Sequence, residues 1–469
     1  MREYFIQAVY LASSVLFILG LKSLTRPDRA QRGMQQAAFG MLLAVIGTLL
    51  HQDIITYSWI IGGLLLGTAI GYPLGMFVPM TAMPQRIAFS HMFGALAATL
   101  VGVAEYYHSG HGSAGAADAE GIARPIMAAL GFEVLFGALT VTGSFMAFGK
   151  LQGFITGRPV TYSGQNVMNL AMFAAAVLCL LYLIYDPSNA VVFYAMIAVA
   201  FAIGILMVLP IGGADMPVVV SLLNSYAGLA ASATGFAIGN NVLIICGALD
   251  GASGFLLSIL MSKAMNRSFA NILFGAFGGE KAAATSGRSA EGLTVQSVTP
   301  EDAALRLAYA RSVIIVPGYG MAVAQSQHQV RELAELIEKK GGDVKYAIHP
   351  VAGRMPGHMN VLLAEANVPY DRLYDMEEIN DQFEQADVAL VIGANDVVNP
   401  AARTDPSSPI YGMPVLNVDR AKSVIVMKRS MASGFAGIEN ELFYDAKTSM
   451  LFGDAKKSLT QLVTEVKNV

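Results

Sequence analysis

The chain has 469 residues, of which 54% are hydrophobic and 14% are charged, and its mean hydropathy is +0.52. This composition excludes a wholly soluble protein of this length and predicts a membrane protein with a soluble part. A net charge of −4 without a Lys/Arg-rich tract excludes a nucleic-acid-binding surface. The two cysteines, Cys179 and Cys246, lie within apolar runs, where the default role of cysteine is core packing.

Nine apolar segments are long enough to cross a bilayer as helices. They lie near residues 4–21, 34–50, 54–75, 84–104, 125–148, 166–185, 190–209, 216–236 and 239–262. Basic residues concentrate in alternate loops and after the ninth segment, from Lys263 onward, as they do in cytoplasmic loops. The sequence therefore predicts an N-terminus outside the membrane and a cytoplasmic C-terminal part. The first segment is long for a signal peptide and is predicted to be an uncleaved span.

Ionisable residues within the apolar segments are candidate functional groups, because polar side chains are costly in hydrocarbon. His91 lies near the middle of the fourth segment, and imidazole titrates near neutral pH, which suits a proton carrier. Glu133 and Asp250 are further candidates for a proton pathway. For these residues a satisfied hydrogen bond between helices is the structural alternative. His108 and His111 have no evident third ligand, so no metal site is predicted.

The eighth and ninth segments combine polar residues with glycines. Ser221, Asn224 and Ser225 share one helical face, where they can hold water or bond a neighbouring helix. In the ninth segment Asp250 and Ser253 are expected to meet a polar interior. Three glycines at helical spacing predict close helix packing there: Gly247, Gly251 and Gly254.

From about residue 277 the composition becomes small and polar, which predicts a linker. Beyond Pro300, β-rich runs alternate with helical ones. The predicted strands are 313–316, 344–349, 388–392, 414–418 and 424–428, and the predicted helices lie near 322–340, 357–366, 376–385 and 455–467. This alternation predicts a doubly wound, Rossmann-like parallel sheet. The predicted domains are a transmembrane domain at 1–270, a linker at 271–300 and the Rossmann-like domain at 301–469.

The first predicted strand, 313–316, leads through Gly318 and Gly320 into a helical run. Strand, glycine turn and helix N-terminus together form the usual site of a dinucleotide pyrophosphate. Val323 stands where a third glycine or alanine is usual, so the motif by itself is weak. In domains that bind NAD(H), an Asp or Glu after the second strand bonds the ribose hydroxyls, and this sequence has none there. It has Arg354 instead, which favours a 2′-phosphate and hence NADP(H) over NAD(H). A solvated surface arginine is the alternative.

Two more loops follow predicted strands. The loop 393–396 carries turn-forming residues after a strand, and an ordinary polar loop is its alternative interpretation. Lys428, Arg429 and Ser430 can bind a phosphate dianion through charge-assisted hydrogen bonds. An exposed basic pair is the alternative for these residues.

Longer runs resemble the beta subunit of the proton-translocating NAD(P) transhydrogenase family. In the apolar half they are TGS (142–144), AFGKLQG (147–153), GGADMP (212–217), SLLNSY (221–226) and KAMNRS (263–268). In the remainder they are PGYGMAVAQ (317–325), HPVAGRMPGHMN (349–360), GAND (393–396), KRS (428–430) and FGDAK (452–456). The resemblance covers nearly the whole chain and is far more specific than two glycines.

The resemblance implies that hydride passes between NAD(H) and NADP(H) while a proton crosses the membrane. NADP(H) is held by this chain, and NAD(H) is held by an alpha subunit. The implied assembly is a dimer of alpha–beta units in the bacterial inner membrane, surrounded by lipid, with the NADP(H) domain in the cytoplasm. No catalytic acid or base is implied for the hydride step.

The resemblance also assigns residues by position. It places His91, Asn224 and Ser253 on the proton pathway. The residues implied to couple proton and hydride transfer are Asp215, Lys263, Arg267 and Asp396. The residues implied to bind NADP(H) are Gly318, Tyr319, Gly320, Met321, Ala322, Val323, Val351, Ala352, Gly353, Arg354, Met355, Pro356, Gly393, Ala394, Asn395, Asp396, Lys428, Arg429, Ser430, Gly434, Asp454 and Ala455.

The family binds NADP(H) in an orientation inverted relative to an ordinary Rossmann enzyme. The resemblance therefore assigns the 2′-phosphate to Lys428, Arg429 and Ser430 and moves Arg354 toward the pyrophosphate. Phe435 stands where family members often have tyrosine, so a hydrogen bond from that hydroxyl is missing.

A transporter or channel regulated by a non-catalytic NADP-sensing Rossmann domain is the competing interpretation. The composition of the chain fits a regulated transporter or channel as well as it fits a transhydrogenase subunit. A second dinucleotide domain in a partner chain, or hydride transfer by the purified complex, separates the two interpretations.

Overall fold

The computed structural model describes residues 2–24, 27–50, 57–79, 82–111, 122–156, 160–162, 164–212, 215–264, 269, 294–353, 357–406, 408, 410–431 and 439–469. They form two compact units, which divide after Ile259. The predicted linker, 271–300, lies mostly outside the described residues, so the predicted domain limits stay a prediction.

The first unit contains one helix for each predicted apolar segment. The helices are α1 (Arg2–Leu24), α2 (Pro27–Leu49), α3 (Ser58–Met76), α4 (Met83–His111), α5 (Arg124–Gln152), α6 (Gln165–Tyr185), α7 (Ala190–Val208), α8 (Met216–Ala237) and α9 (Asn241–Ala264). Within the described residues, eight of these helices are long and apolar enough to cross a membrane. The exception is α2, whose first turns carry Asp28, Arg29 and Arg32.

Helix α5 lies at the centre of this unit and packs against α4, α6, α7 and α8. At its C-terminal end, Nζ of Lys150 donates to the carbonyl oxygens of Val208 at 3.2 Å and Ile211 at 2.7 Å, which closes the end of α7. Helices α8 and α9 approach closely. A Cβ on Gly228 would lie 2.8 Å from Cα of Gly251, so the predicted glycine packing is confirmed.

The second unit is built on a six-stranded parallel sheet in the order β3-β2-β1-β4-β5-β6. The strands are β1 (Ser312–Pro317), β2 (Asp343–Ile348), β3 (Leu373–Asp375), β4 (Val388–Ile392), β5 (Ser423–Lys428) and β6 (Thr448–Phe452). The helices are α10 (Pro300–Tyr309), α11 (Tyr319–Ala324), α12 (Gln327–Lys339), α13 (His358–Glu365), α14 (Met376–Ile379), α15 (Ala401–Thr404) and α16 (Ala455–Asn468). This strand order is that of a doubly wound dinucleotide-binding fold, so the predicted fold class is confirmed.

Several predicted elements were wrong in detail. The predicted helix 322–340 is two helices, because Gln325 adopts a left-handed backbone with φ +49° between α11 and α12. The predicted helix 376–385 is α14 followed by a 3₁₀ helix, Asn380–Gln385. The sequence also missed β3 and β6, which flank the sheet.

The predicted strand 414–418 is an extended loop that runs into a 3₁₀ helix, Val418–Arg420. Its carbonyl groups bond side chains instead of a neighbouring strand. Nε2 of His349 donates to the Pro414 carbonyl at 2.8 Å, and Nδ2 of Asn380 donates to the Val415 carbonyl at 3.1 Å.

His349 links this loop to the end of β2. The residue is 2% exposed, and its Nδ1 accepts from the Val351 amide at 3.2 Å while Nε2 donates to Pro414. The two hydrogen bonds together require the neutral ring. Burial lowers the pKa of His349 to about 4, and the smaller effect of the Pro414 carbonyl opposes it.

We expect acid to destabilise this region between about pH 6.5 and pH 4. An unfolded histidine titrates near pH 6.5. In this interval the unfolded state binds more protons than the folded state, so the free energy of unfolding falls as the pH falls, by at most roughly 3 kcal/mol. Hydrogen exchange of the amides in 344–352 and 410–418 of the full chain, corrected for intrinsic rates, measures this loss.

His349→Gln keeps a donor for Pro414 without a titrating ring, so its protection should vary less with pH. The matched control is His328→Gln on the exposed face of α12, which should keep the pH dependence of the unmodified chain. Equal pH dependence in both variants would contradict the assignment.

Candidate functional site

The candidate site lies at the carboxyl edge of the sheet, where β1 and β4 are neighbours although they are not consecutive in the chain. Ligands of doubly wound folds bind at this switch point. The Gly318 amide donates to the Ile392 carbonyl at 2.9 Å, and the Gly320 amide donates to the Gly393 carbonyl at 2.9 Å. A Cβ on Gly320 would lie 2.6 Å from Cα of Gly393. The two glycines therefore let the loops after β1 and β4 touch.

This contact changes the interpretation of the glycine motif. The amides of Gly318 and Gly320 are bonded to the loop after β4, so they are not the expected donors to a pyrophosphate. Of the other predicted residues here, Met321 and Ala322 are fully buried in the core, whereas Val323 is half exposed. Tyr319 begins α11, which is only six residues long.

The loop after β4 is held by two buried asparagines that the sequence analysis did not identify. Nδ2 of Asn440 donates to the Asn395 carbonyl at 3.0 Å, and its Oδ1 accepts from the Leu442 amide at 3.0 Å. Nδ2 of Asn399 donates to the Glu439 carbonyl at 3.0 Å. Single asparagines in loops carry no recognisable sequence pattern, so only the fold reveals them.

Within this loop Gly393 adopts φ +64°, and Ala394 is buried. Nδ2 of Asn395 is buried and has no hydrogen-bond partner among the described residues. A buried amide donor of this kind is a candidate to bind a polar ligand, because leaving it unpaired costs about 1–3 kcal/mol.

Lys428 ends β5, on the other side of β4. Its Nζ lies 4.6 Å from the ring centroid of Phe443. Burial lowers the pKa of Lys428, while the carboxylate of Asp396 acts in the opposite direction. The structure therefore brings Asp396 and Lys428 together, and Arg429 and Ser430 follow on the exposed surface.

The loops after β2 and β6 complete the edge. The Ala352 amide donates to the His349 carbonyl at 2.9 Å, next to Val351, and Gly353 adopts φ +110°. Gly453 donates to the Lys428 carbonyl at 3.1 Å, which brings the predicted Asp454 and Ala455 near Lys428. Oδ1 of Asp454 accepts from the amides of Lys456 and Lys457 and caps α16. The predicted residues Arg354, Met355, Pro356 and Gly434, and also Phe435, lie outside the described residues.

In the first unit, His91 of α4 bonds Ser144 of α5, with 3.0 Å between Nδ1 and Oγ. Its Nε2 is buried and has no hydrogen-bond partner among the described residues. Ser144 was not identified from the sequence as a site residue, although it belongs to the TGS run.

Asn224 of α8 bonds Asp250 of α9, with Nδ2 donating to Oδ1 at 2.9 Å. Oγ of Ser253 donates to the Asp250 carbonyl of its own helix at 3.0 Å. Ser225 bonds the neighbouring helix, because its Oγ donates to the Gly251 carbonyl at 2.7 Å.

Of the predicted coupling residues in the first part of the chain, Asp215 precedes α8 and its carbonyl accepts from the Val218 amide at 3.1 Å. Lys263 lies in the last turn of α9. Arg267 lies outside the described residues. The positions of these residues do not test the coupling assignment, which stays a prediction.

The edge of the sheet combines a lysine and an arginine after β5, a buried amide donor after β4 and close-packed glycine loops. This set of groups fits a phosphate-bearing dinucleotide. The cations suit phosphate oxygens, and the switch-point crevice suits an extended ligand.

The sequence model of the family described as NAD(P) transhydrogenase beta subunit matches residues 6–465. The chain is also similar to two proteins from Rhodospirillum rubrum, one of them from a named strain, and both are called NAD(P) transhydrogenase subunit beta. Each is 51% identical over 459 residues, which cover 97% of this chain and 98% of the relative. The match runs through both the helical unit and the sheet. The chain therefore belongs to the NAD(P) transhydrogenase beta subunit family.

Proposed function

We propose that this chain binds NADP(H) and conducts protons as one subunit of a membrane transhydrogenase. The two relatives are named as beta subunits, which supports an alpha subunit as the partner that holds NAD(H). The proposed complex is a dimer of alpha–beta units in the bacterial inner membrane. The distribution of basic residues supports an N-terminus outside and a cytoplasmic sheet domain.

The observation that carries the proposal is the contact of the loops after β1 and β4 at the switch point of the sheet, with Lys428 at the end of β5 beside Asp396. A bound nicotinamide supplies the hydride chemistry, and the chain binds it, orients it and excludes water. Asn395 is proposed to donate its unpartnered amide to the dinucleotide. The proposed 2′-phosphate group is Lys428, Arg429 and Ser430.

Lys428 is the central cation of this group because it is half-buried and lies beside the Asp396 carboxylate. A 2′-phosphate carries more negative charge than a carboxylate and offers more acceptor oxygens. It therefore competes with Asp396 for Lys428. NAD(H) lacks this phosphate and gains nothing from the same cations, so the pair provides selectivity.

We expect Lys428→Gln and Arg429→Gln each to weaken NADP(H) binding by about tenfold or more, since a charge-assisted hydrogen bond contributes about 1.5–3 kcal/mol. Binding of NAD(H) to the same site should change little. Calorimetric titration of the purified complex with both nucleotides measures the difference.

Lys422→Gln is the matched control, because Lys422 lies before β5, at its opposite end, and bonds Asp387 at 2.8 Å. It should bind NADP(H) as the unmodified chain does. Equal losses for the two nucleotides in Lys428→Gln would show that the lysine does not recognise the 2′-phosphate.

The proposed proton pathway uses His91, Asn224 and Ser253 in the helical unit. His91 is the residue of this set whose side chain, an imidazole, can take up and release a proton. Ser144 holds one ring nitrogen, and the other ring nitrogen faces no described hydrogen-bond partner. That free nitrogen is where a proton is taken up or released. Asp215, Lys263, Arg267 and Asp396 are proposed to couple this event to the nucleotide.

Replacing His91 tests the pathway. His91→Asn keeps a polar atom near the position of Nδ1 for Ser144 but cannot carry a proton at neutral pH. We expect proton pumping by the reconstituted complex to fall roughly a hundredfold, the usual scale for loss of an acid–base group, while NADP(H) binding is retained. A pH-sensitive dye inside vesicles measures pumping.

Ser90→Ala is the control, because the hydroxyl of the neighbouring Ser90 donates to the Ile87 carbonyl of its own helix, at 3.1 Å. It should pump normally. Pumping by His91→Asn with unchanged protons per hydride would rule out His91 as the carrier.

A further inference from the structure

Glu133 is a buried carboxyl group that the proposed pathway does not include. It lies on α5 and is 0% exposed. Neither carboxyl oxygen has a hydrogen bond of good geometry to a described residue. Gly102 of α4 and Thr234 of α8 lie beside it. The charged side chain that acts on it from the packed helices is Glu105 of α4.

The three helices around Glu133 are the same helices that hold His91, Ser144 and Asn224. Glu133 precedes Ser144 by eleven residues on α5, and Gly102 follows His91 by eleven residues on α4. At 1.5 Å per residue, both separations are about 16 Å along the helix.

Helix α8 gives the same separation independently. Thr234 follows Asn224 by ten residues, or about 15 Å. Leu223 of α8 lies against Gly143 of α5. Their neighbours in the sequence, Asn224 and Ser144, therefore lie at about the same position along the helix axes. The structure thus contains two polar levels on the same three helices, one at His91 and one at Glu133.

At the level of Glu133, the packing of α4 against α5 depends on a glycine. A Cβ on Gly102 would lie 2.5 Å from Cγ2 of Val134 and 3.1 Å from Cδ of Glu133, so the glycine makes room for both neighbouring side chains of α5. Between the levels, the buried hydroxyl of Thr99 lies against Gly137 and bonds the Ala95 carbonyl at 2.9 Å. The polar groups therefore follow one seam between α4 and α5.

An ionised carboxylate without a partner is strongly disfavoured in a membrane interior, and such residues mark ion pathways by default. A structural carboxyl group would have a cation or several donors as partners. No cation acts on Glu133 among the described residues, and its two nearest donors, the Thr234 hydroxyl and the Gly102 amide, form no hydrogen bond of good geometry, so stability alone does not explain its burial.

We propose that Glu133 is a second proton-carrying group of the pathway, located between His91 and the end of the helical unit where α4 ends and α5 begins. The inference rests on the proposed proton translocation. The O–H bond of protonated Glu133 breaks and its proton passes to water at the membrane surface. A chain of water molecules across the roughly 16 Å between the two levels then carries a proton from protonated His91, whose N–H bond breaks as a new O–H bond forms on the Glu133 carboxylate. No electrons are transferred.

The test uses the full alpha–beta complex in vesicles. Glu133→Gln preserves shape but cannot release a proton. We expect its pumping rate and its coupled hydride transfer to fall at least about tenfold, with NADP(H) affinity unchanged, and Glu133→Asp to recover part of the rate with a shifted pH profile. Asp186→Asn is the matched control and should pump normally, because the Asp186 carboxylate lies after α6, accepts from the Ser188 amide at 3.2 Å and does not act on Glu133.

Infrared difference spectroscopy provides a readout that a structural role would not change. During turnover the unmodified complex should show a protonated-carboxyl band that Glu133→Gln lacks. If the Gln variant fails to assemble, the Asp variant decides, because the band should shift with the shorter side chain.

The failures of the two proposals are distinguishable. An unmodified complex that transfers hydride without pumping would overturn proton translocation. Normal pumping by Glu133→Gln with an unchanged pH profile, no carboxyl band in the unmodified complex, or equal losses in Glu133→Gln and Asp186→Asn would overturn the role of Glu133 alone.

Discussion

The backbone contact between the loops after β1 and β4 is the constraint on which the nucleotide edge depends. Gly320 donates to Gly393 at 2.9 Å, and there is no space for a side chain at either glycine without moving the other. This closure fixes the start of the loop that carries Asn395 and Asp396. It thereby fixes the position of Asp396 relative to Lys428 on β5. The glycine motif acts here mainly through protein–protein packing within one domain, and the close approach to a ligand follows from that packing.

In the helical unit the corresponding constraint is that buried polar groups need partners. Most of those discussed here have them: Lys150 closes the end of α7, and Ser225 bonds α9. Nε2 of His91 and the carboxyl oxygens of Glu133 are among the buried polar atoms of the described helices of this unit that lack a hydrogen-bond partner, together with atoms of Gln85, Asn169 and Ser262. Of this set, His91 and Glu133 are the residues whose side chains can take up and release a proton.

The sequence predicted those features that depend on local pattern. Each apolar segment became a helix, because about 20 apolar residues suffice to specify a membrane span. The central strands could be predicted because they consist largely of β-branched residues. The loop 414–418 looked like a strand because it alternates in the same way, but His349 and Asn380 bond its carbonyl groups. The flanking strand β3 has only three residues, and the contacts of Asn440 and Ser144 join residues 45 and 53 positions apart. Long-range contacts of this kind leave no periodic signal in a single sequence.

Asp396 shows how nucleotide binding and proton transfer can share one element. It faces Lys428, and the proposed 2′-phosphate needs the same lysine. In the proposed mechanism a bound phosphate therefore weakens the attraction between Lys428 and the Asp396 carboxylate. Any coupling between two binding events is reciprocal, so a change in the protonation or pairing of Asp396 must change the affinity for NADP(H) by the same factor. The burial of Lys428 strengthens this exchange, because charges that are partly removed from water interact more strongly. In the proposed mechanism, the pair Asp396–Lys428 is therefore where a signal from the proton pathway acts on nucleotide affinity in the sheet domain.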